Sequence, residues 1–282
     1  MTNIPTWQLL TLHNTEYLAL NILAFISLLF FAYRGTLKYS FNNFSRLFFL
    51  AFLCIIFVVG ARFFYTMFYT DLDWSKLFEP TPYGFSLFGG LIGAVIYLLI
   101  VGWSKNIPLG GWLDINIPGL IGYVTISKIG CFLNGCCFGT PTLVPWGIPY
   151  AEGSQAYNYY IVRALNDLQF QSWRVYSDLI HPVQLYESIF ALILLIIAVV
   201  LLKRKLMPGF VFLLISGLYC LVRLGSFYLR AIPYDASFYY LLAWIYIFIA
   251  FICFGVLLLE LFRIKKSNLS NRRVNECNST TF

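Results

Sequence analysis

The sequence predicts an all-α polytopic membrane protein with seven transmembrane helices, and composition is the first reason. Of its 282 residues, 60% are hydrophobic and only 11% are charged, whereas soluble domains carry about 25% charged residues. The same hydrophobicity excludes intrinsic disorder, which requires low hydrophobicity. The second reason is that seven separate apolar segments approach the roughly 20 residues that a membrane-spanning helix needs.

The seven predicted spans are residues 17–33, 47–68, 85–103, 115–133, 183–202, 209–228 and 238–262. The fourth is the weakest, because Pro118, several glycines and Lys128 interrupt it. The connection of about residues 134–182 is long and rich in aromatic residues, and long structured loops are often functional. We therefore expect one membrane domain over residues 1–264 and a polar tail over residues 265–282.

The distribution of basic residues predicts the orientation of these spans. Twelve of the 19 Lys and Arg follow the odd-numbered spans: Arg34, Lys38, Arg46, Lys105, Lys203, Arg204, Lys205, Arg263, Lys265, Lys266, Arg272 and Arg273. Because cytoplasmic loops are enriched in Lys and Arg, this pattern predicts an outside N-terminus, an outer-face loop at 134–182 and a cytoplasmic tail. The net charge of +7 is thus mostly a matter of topology, and we expect no nucleic-acid binding.

Five ionisable residues lie in or beside the spans, where charges are costly and mark candidate functional sites. They are Arg62, Lys128, Glu187, Arg223 and Arg230. All five map to the outer half of their spans, and four cations with one carboxylate at one depth suit an anionic lipid headgroup. The alternative is internal pairing, for example of Glu187 with Arg223, or snorkelling of Arg62 and Arg230 to the interface.

Two further polar or small-residue patterns lie at the same outer face. Gly89 and Gly90 lie at the start of the third span. Small residues there could allow a neighbouring helix to pack closely, or could allow a phosphate to reach the free backbone N–H groups of the helix start. His181, Gln184 and Glu187 recur at three-residue spacing, so they can share one face of a helix. That stripe could serve a substrate, or it could anchor the long loop.

Three of the seven cysteines cluster at Cys131, Cys136 and Cys137. The segment has no CxxC pair and no second ligand cluster, so the spacing indicates no metal site. A disulfide between the adjacent Cys136 and Cys137 is disfavoured by its strained geometry. The alternatives are small buried apolar residues, reactive thiols, or a disulfide with a partner in the loop.

The order and spacing of these motifs resemble one known family, the prolipoprotein diacylglyceryl transferases, over roughly residues 55–235. The most specific element is His181-Pro-x-Gln-Leu-Tyr-Glu187, which is close to the family form. The segment at 128–135, Lys-Ile-Gly-Cys-Phe-Leu-Asn-Gly, is similar to the family's Gly-Arg-x-x-Asn-Phe-x-Asn-Gly. Similar family segments exist for Gly60-x-Arg62-x-x-Tyr65, for residues 84–93, and for Arg223 with Arg230.

The resemblance implies an enzyme that moves a diacylglyceryl group from phosphatidylglycerol to the thiol of the lipobox cysteine in a prolipoprotein. It implies a bacterial plasma (inner) membrane, glycerol-1-phosphate as leaving group, and no metal or other cofactor. Catalytic roles are implied for Arg223, Lys128, His181 and Glu187. Substrate-binding roles are implied for Arg62, Tyr65, Gly89, Gly90, Asn134, Gln184, Tyr186 and Arg230.

Several departures from the family pattern identify a divergent member. Phe88 stands where the family has His, Lys128 where it has Arg, Cys131 where it has Asn, and Phe227 where it has Glu. If the family His is the base, His181 or Glu187 must replace it here. The alternatives are a paralogous membrane transferase with a different acceptor, or a non-catalytic anionic-lipid-binding membrane protein on the same fold.

Overall fold

The computed structural model describes residues 14–69, 73–78, 84–150, 154–166, 179–231 and 240–279. These residues form eight α-helices and a short 3-10 helix at Trp74–Leu77: α1 (Asn14–Lys38), α2 (Asn43–Tyr69), α3 (Leu87–Ser104), α4 (Leu109–Leu133), α5 (Gln155–Asn166), α6 (Val183–Leu201), α7 (Phe210–Leu229) and α8 (Leu241–Ser279). Within this described part, all of them except α5 and the 3-10 helix are long and apolar enough to cross a membrane. The predicted all-α fold with seven spans is confirmed, and its orientation stays a prediction.

Two predicted boundaries differ from the observed helices. The fourth span was expected to begin at residue 115, but α4 begins at Leu109 and therefore contains Asp114. Gly110, Gly111 and Asp114 lower the hydropathy of the first two turns of α4, although both turns are helical. The predicted start of the last span, residue 238, lies outside the described residues, and α8 runs from Leu241 to Ser279. Most of the predicted polar tail is thus a continuation of the last helix.

Helix α4 is the central helix of the bundle. In its membrane-length segment 78% of the residues are buried, against 17–44% in the other spans, and it packs on α1, α3, α6 and α7. Trp112, which is fully buried, donates from Nε1 to the carbonyl of Leu98 on α3 at 2.9 Å. A helix enclosed by protein directs its polar side chains at neighbouring helices instead of lipid, which explains why the fourth span looked weakest in the sequence.

Helices α2 and α3 approach closely through glycine. A Cβ atom on Gly90 would lie 2.5 Å from the ring of Phe57, and one on Gly93 would lie 2.9 Å from the carbonyl of Ile56. Gly89 likewise faces Phe64 on α2. The structure therefore uses Gly89 and Gly90 for tight helix packing, one of the two alternatives that the sequence left open.

Consecutive membrane-length helices run in opposite directions, so their termini collect at two opposite ends of the bundle. At the basic end, short connections lie at 39–42, 105–108 and 202–209; the last two contain Lys105, Lys203, Arg204 and Lys205, and Arg34, Lys38 and Arg46 flank the first. At the loop end, α2, α4 and α7 finish, α3 and α6 begin, and the connection that contains α5 lies between α4 and α6. Isolated β-bridges such as Gly139 with Arg230 tie this connection to the end of α7.

Candidate functional site

A buried carboxylate, Glu187 on α6, pairs with cationic side chains from two other helices at the loop end. Glu187 is 1% exposed. Its Oε2 lies 2.5 Å from Nζ of Lys128 on α4, and its Oε1 accepts from Nη1 of Arg223 on α7. Ser226, also on α7, donates its hydroxyl to the same Oε1 at 2.6 Å. We call these four residues the Glu187 centre.

A tyrosine from the last span completes the surroundings of Arg223. Nη2 of Arg223 donates to the hydroxyl of Tyr246 on α8 at 3.0 Å, and the guanidinium carbon lies 5.4 Å from the centroid of that ring. Phe88 packs edge-to-face on Tyr246 with centroids 4.6 Å apart. The position where the family has His therefore holds a buried ring that orients Tyr246 and offers no proton acceptor.

The Glu187 centre has more positive than negative charge. Lys128 and Arg223 are 3% and 6% exposed, and among the described residues Glu187 is the carboxylate that both of them contact. Arg230, which is 9% exposed, also acts electrostatically on Glu187. Because charge interactions are strong in a low-dielectric interior, an excess of buried positive charge favours an anionic ligand. The internal pairing of Glu187 with Arg223, one of the alternatives considered from the sequence, is thus present, and Lys128 joins the pair.

His181 and Tyr186 belong to a more superficial network. Nδ1 of His181 lies 3.3 Å from the hydroxyl of Tyr186, which accepts from Nε1 of Trp146 at 2.8 Å. The backbone N–H of His181 donates to Thr140 at 3.0 Å. These contacts hold the loop against the start of α6, and a base role for His181 stays a prediction.

Gln184 lies deeper and anchors the loop from within. It is fully buried, and its Nε2 donates to the carbonyl of Cys136 at 2.7 Å and to the hydroxyl of Tyr150 at 3.0 Å. Burial raises the pKa of Tyr150, so that hydroxyl stays neutral. The polar stripe on α6 therefore divides: Gln184 holds the loop, whereas Glu187, one helical turn further, holds the cations.

Arg62 and Tyr65 on α2 support the segment that leads into α3. Nη1 of Arg62 donates to the carbonyl of Gly84 at 3.1 Å, and its guanidinium lies 5.1 Å from the ring centroid of Phe85. Gly84 has φ +85, and a Cβ there would lie 2.9 Å from the ring of Tyr65. Both the backbone conformation and the close contact therefore require glycine at this position.

Asn134 is the residue at which α4 ends, and it lies between Cys131 and Cys136 in the sequence. Its N–H donates to Gly130 at 2.9 Å, and the Sγ atoms of Cys131, Cys136 and Cys137 then lie within 4.8 Å of one another. Hydrogen bonds from Cys131 and Cys136, with the charges of Arg230 and Lys128, hold the pKa of Cys137 well below its usual range.

Sequence reasoning missed three residues at or near the Glu187 centre: Ser226, Tyr246 and Tyr219. Ser226 lies three residues after Arg223 on the same helix, a spacing that could have identified it. Tyr246 is one of many aromatic residues in an apolar span, and no pattern distinguishes it. The hydroxyl of Tyr219 is buried and has no hydrogen-bond partner among the described residues, although it lies close enough to Arg223 and Glu187 to interact electrostatically.

The fold and the site together define a multi-pass membrane protein with a buried, positively charged centre. The chain belongs to the prolipoprotein diacylglyceryl transferase family, whose sequence profile matches residues 6–261. The resemblance drawn from its motifs is therefore confirmed.

Curated relatives carry the name phosphatidylglycerol–prolipoprotein diacylglyceryl transferase. One from Dehalococcoides mccartyi is 31% identical over 147 residues, covering 52% of this chain and 50% of the relative. One from Tropheryma whipplei is 27% identical over 192 residues, covering 65% and 64%. One from Prochlorococcus marinus is 29% identical over 206 residues, covering 65% and 63%. The matches thus span between half and two thirds of the length of these relatives.

Proposed function

We propose that this protein transfers a diacylglyceryl group from phosphatidylglycerol to the thiol of a lipobox cysteine in a prolipoprotein. The observation that carries the proposal is the Glu187 centre, in which two buried cations share one carboxylate in a member of this family. The bacterial relatives support placement in the plasma (inner) membrane. The basic residues support an outside N-terminus and a cytoplasmic tail.

The excess cation suits the phosphate of the lipid donor. Lys128 and Arg223 are fixed by Glu187, and Arg223 is also fixed by Tyr246. Positioned cations in a water-poor site stabilise negative charge that develops in the transition state. The buried hydroxyl of Tyr219 supports the same assignment, because a phosphate oxygen would satisfy a donor that otherwise carries a desolvation cost.

The reaction is an alkyl transfer. The lipobox sulfur releases its proton to water and forms a thioether bond to the terminal glyceryl carbon, while the bond from that carbon to the phosphate oxygen breaks. The departing glycerol phosphate takes the bonding electron pair, and the charge of Lys128 and Arg223 stabilises it. In this proposal the surrounding substrate site is shaped by Arg62, Tyr65, Asn134, Gln184, Tyr186 and Arg230. Gly89 and Gly90 contribute to it only through the close packing of α2 and α3.

One observation favours a second candidate, a transferase on this fold with a different acceptor. Phe88 is 6% exposed and packs on Tyr246, so the position of the family His supplies no base. Under this alternative the protein would still bind a lipid donor, but the group that receives the diacylglyceryl unit would not be the lipobox cysteine.

The test uses the full chain purified in detergent, phosphatidylglycerol vesicles and a lipobox peptide. We expect the peptide to gain the mass of one diacylglyceryl unit and glycerol phosphate to appear in equal amount. Arg223→Ala should lower the rate at least about 10²-fold, as loss of one transition-state donor does. Arg263→Ala is the matched control, because that cation is 74% exposed and pairs only with its helical neighbour Glu260 in the described contacts.

Glycerol phosphate release without peptide modification would favour the second candidate. Neither product, from a monodisperse protein that binds phosphatidylglycerol vesicles, would favour a non-catalytic lipid-binding protein. Equal rates for Arg223→Ala and Arg263→Ala would contradict the assignment of Arg223.

A further inference from the structure

Three cysteine side chains meet beside the Glu187 centre, and the reaction as described uses none of them. Cys131 is buried, Cys136 and Cys137 are partly buried, and all three are free thiols. Their Sγ atoms all lie within 4.8 Å of one another. We infer that these three cysteines bind one zinc ion and leave one coordination position open to a substrate thiol.

The backbone after α4 is shaped to bring the thiols together. Gly135 has φ +64 and Cys137 has φ +59, a region that side chains other than glycine rarely adopt. Cys136 returns over the end of the helix, where its N–H donates to the carbonyl of Cys131 at 3.1 Å. An unfavourable conformation at a non-glycine residue persists where the surroundings enforce it, and such residues concentrate at functional sites.

The donor set matches a zinc site with an open position. Zinc binds thiolate at about 2.3 Å in a tetrahedron, which places the sulfurs about 3.8 Å apart. Thiols within 4.8 Å need to close by about 1 Å to reach that geometry. Structural zinc sites use four protein ligands, whereas catalytic sites use three. In the part of the chain that the structure describes, no His, Asp or Glu joins the three thiols.

The neighbouring charges suit a metal bound by thiolates. Three thiolates and one Zn²⁺ carry a net charge of −1, and both Lys128 and Arg230 act electrostatically on Cys137. Lys128 also precedes Cys131 by three residues on α4, so the two share a helix face. The sequence alone indicated no metal, because the turn that joins these thiols cannot be read from their spacing.

The three thiols lie near the cations that would hold the lipid phosphate, and the proposed reaction needs an activated thiol there. Gln184 binds the carbonyl of Cys136, and Glu187 one helical turn later binds Lys128 and Arg223. Residues of α6 therefore contact both the cysteine segment and the cations. Phe88, at the position of the family His, offers no base. A thiol that coordinates zinc is deprotonated, so the lipobox sulfur would release its proton to water before it attacks the glyceryl carbon. The identity of this fourth ligand rests on the proposed function.

The first test measures metal in the full chain, purified in detergent under reducing conditions. Elemental analysis should find about one zinc per chain, as expected for a single site, and the double variant Cys136→Ser/Cys137→Ser should lose it. Cys54→Ser is the matched control, because Cys54 is a free cysteine on α2 outside the cluster. Copper in place of zinc, no bound metal in the wild type, or full zinc in a monodisperse double variant would overturn the inference.

The second test probes the open position without relying on turnover. Protein loaded with Co²⁺ in place of zinc should show sulfur-to-cobalt charge-transfer absorption that intensifies on addition of a lipobox peptide. A peptide with serine in place of the lipobox cysteine should leave the spectrum unchanged. The same spectrum with both peptides would overturn the open thiol position.

The two proposals fail differently. A thiol-dependent spectral change with no diacylglyceryl transfer by the zinc-loaded protein would refute the proposed function and support the metal site. Undiminished transfer by the zinc-free double variant would refute the zinc inference and support the proposed function.

Discussion

Helix α4 carries a buried charge near each end, and the two are held in different ways. Near the basic end, Asp114 accepts backbone N–H groups of Gly209 at 2.7 Å and Phe212 at 2.8 Å. It thus caps the start of α7, where a negative charge is favourable. Near the loop end, Lys128 shares Glu187 with Arg223.

The difference separates a structural charge from a functional one. Asp114 is matched by the backbone groups that it contacts, and nothing in that arrangement calls for a ligand. In the part of the chain that the structure describes, the Glu187 centre places two cations on one carboxylate, and Arg230 also acts electrostatically on Glu187. A buried charge whose partners lie beside it is compatible with a stable fold. An excess of buried positive charge destabilises the fold, and binding of an anion offsets that cost.

Glu187→Gln should have the largest effect on stability. Gln keeps the shape but leaves Lys128 and Arg223 without a counter-charge, and removing one partner of a buried pair costs about 3–5 kcal/mol. Thermal unfolding in detergent, with the yield of monodisperse protein, measures the loss. The control is Glu260→Gln on α8, because Glu260 is 41% exposed and pairs with Arg263. Equal unfolding of the two variants would contradict the role of Glu187 as the buried counter-charge of Lys128 and Arg223.

Asp114→Ala should have a smaller effect, confined to stability. Loss of a helix cap costs about 0.5–2 kcal/mol, and the N–H groups of Gly209 and Phe212 would lose their acceptor. The apparent melting temperature should fall, while the rate of transfer per folded molecule stays unchanged. A drop in that rate at full folding would show that the two ends of α4 are coupled, and the structural assignment of Asp114 would be wrong.

Lys128→Arg should have the smallest effect. It keeps the positive charge and restores the residue that the family has at this position, so we expect transfer to stay within about tenfold, or about 1.4 kcal/mol. Lys128→Gln, which removes the charge, should lower transfer further under the same assay. Equal losses in the two variants would show that the shape of Lys128 matters more than its charge.

Much of the fold and part of the site could be predicted from the sequence. Span number follows from composition and segment length, because hydrocarbon tolerates only long apolar helices. Glu187 and Arg223 were identifiable as a candidate pair because both are ionisable residues in apolar spans. The start of α4 was not, because Asp114 is acceptable in a membrane helix only once the first turn of α7 covers it.

The sequence by itself determined the class of protein, the seven spans, the family motifs and the rough depth of the ionisable residues. These depend on local composition and order along the chain. Only the tertiary structure decided that α4 is central, that Tyr246 and Ser226 join Arg223 and Glu187, and that three thiols converge after α4. Those outcomes depend on which helix faces meet and on how a left-handed turn reverses the chain, and hydrophobicity alone specifies neither.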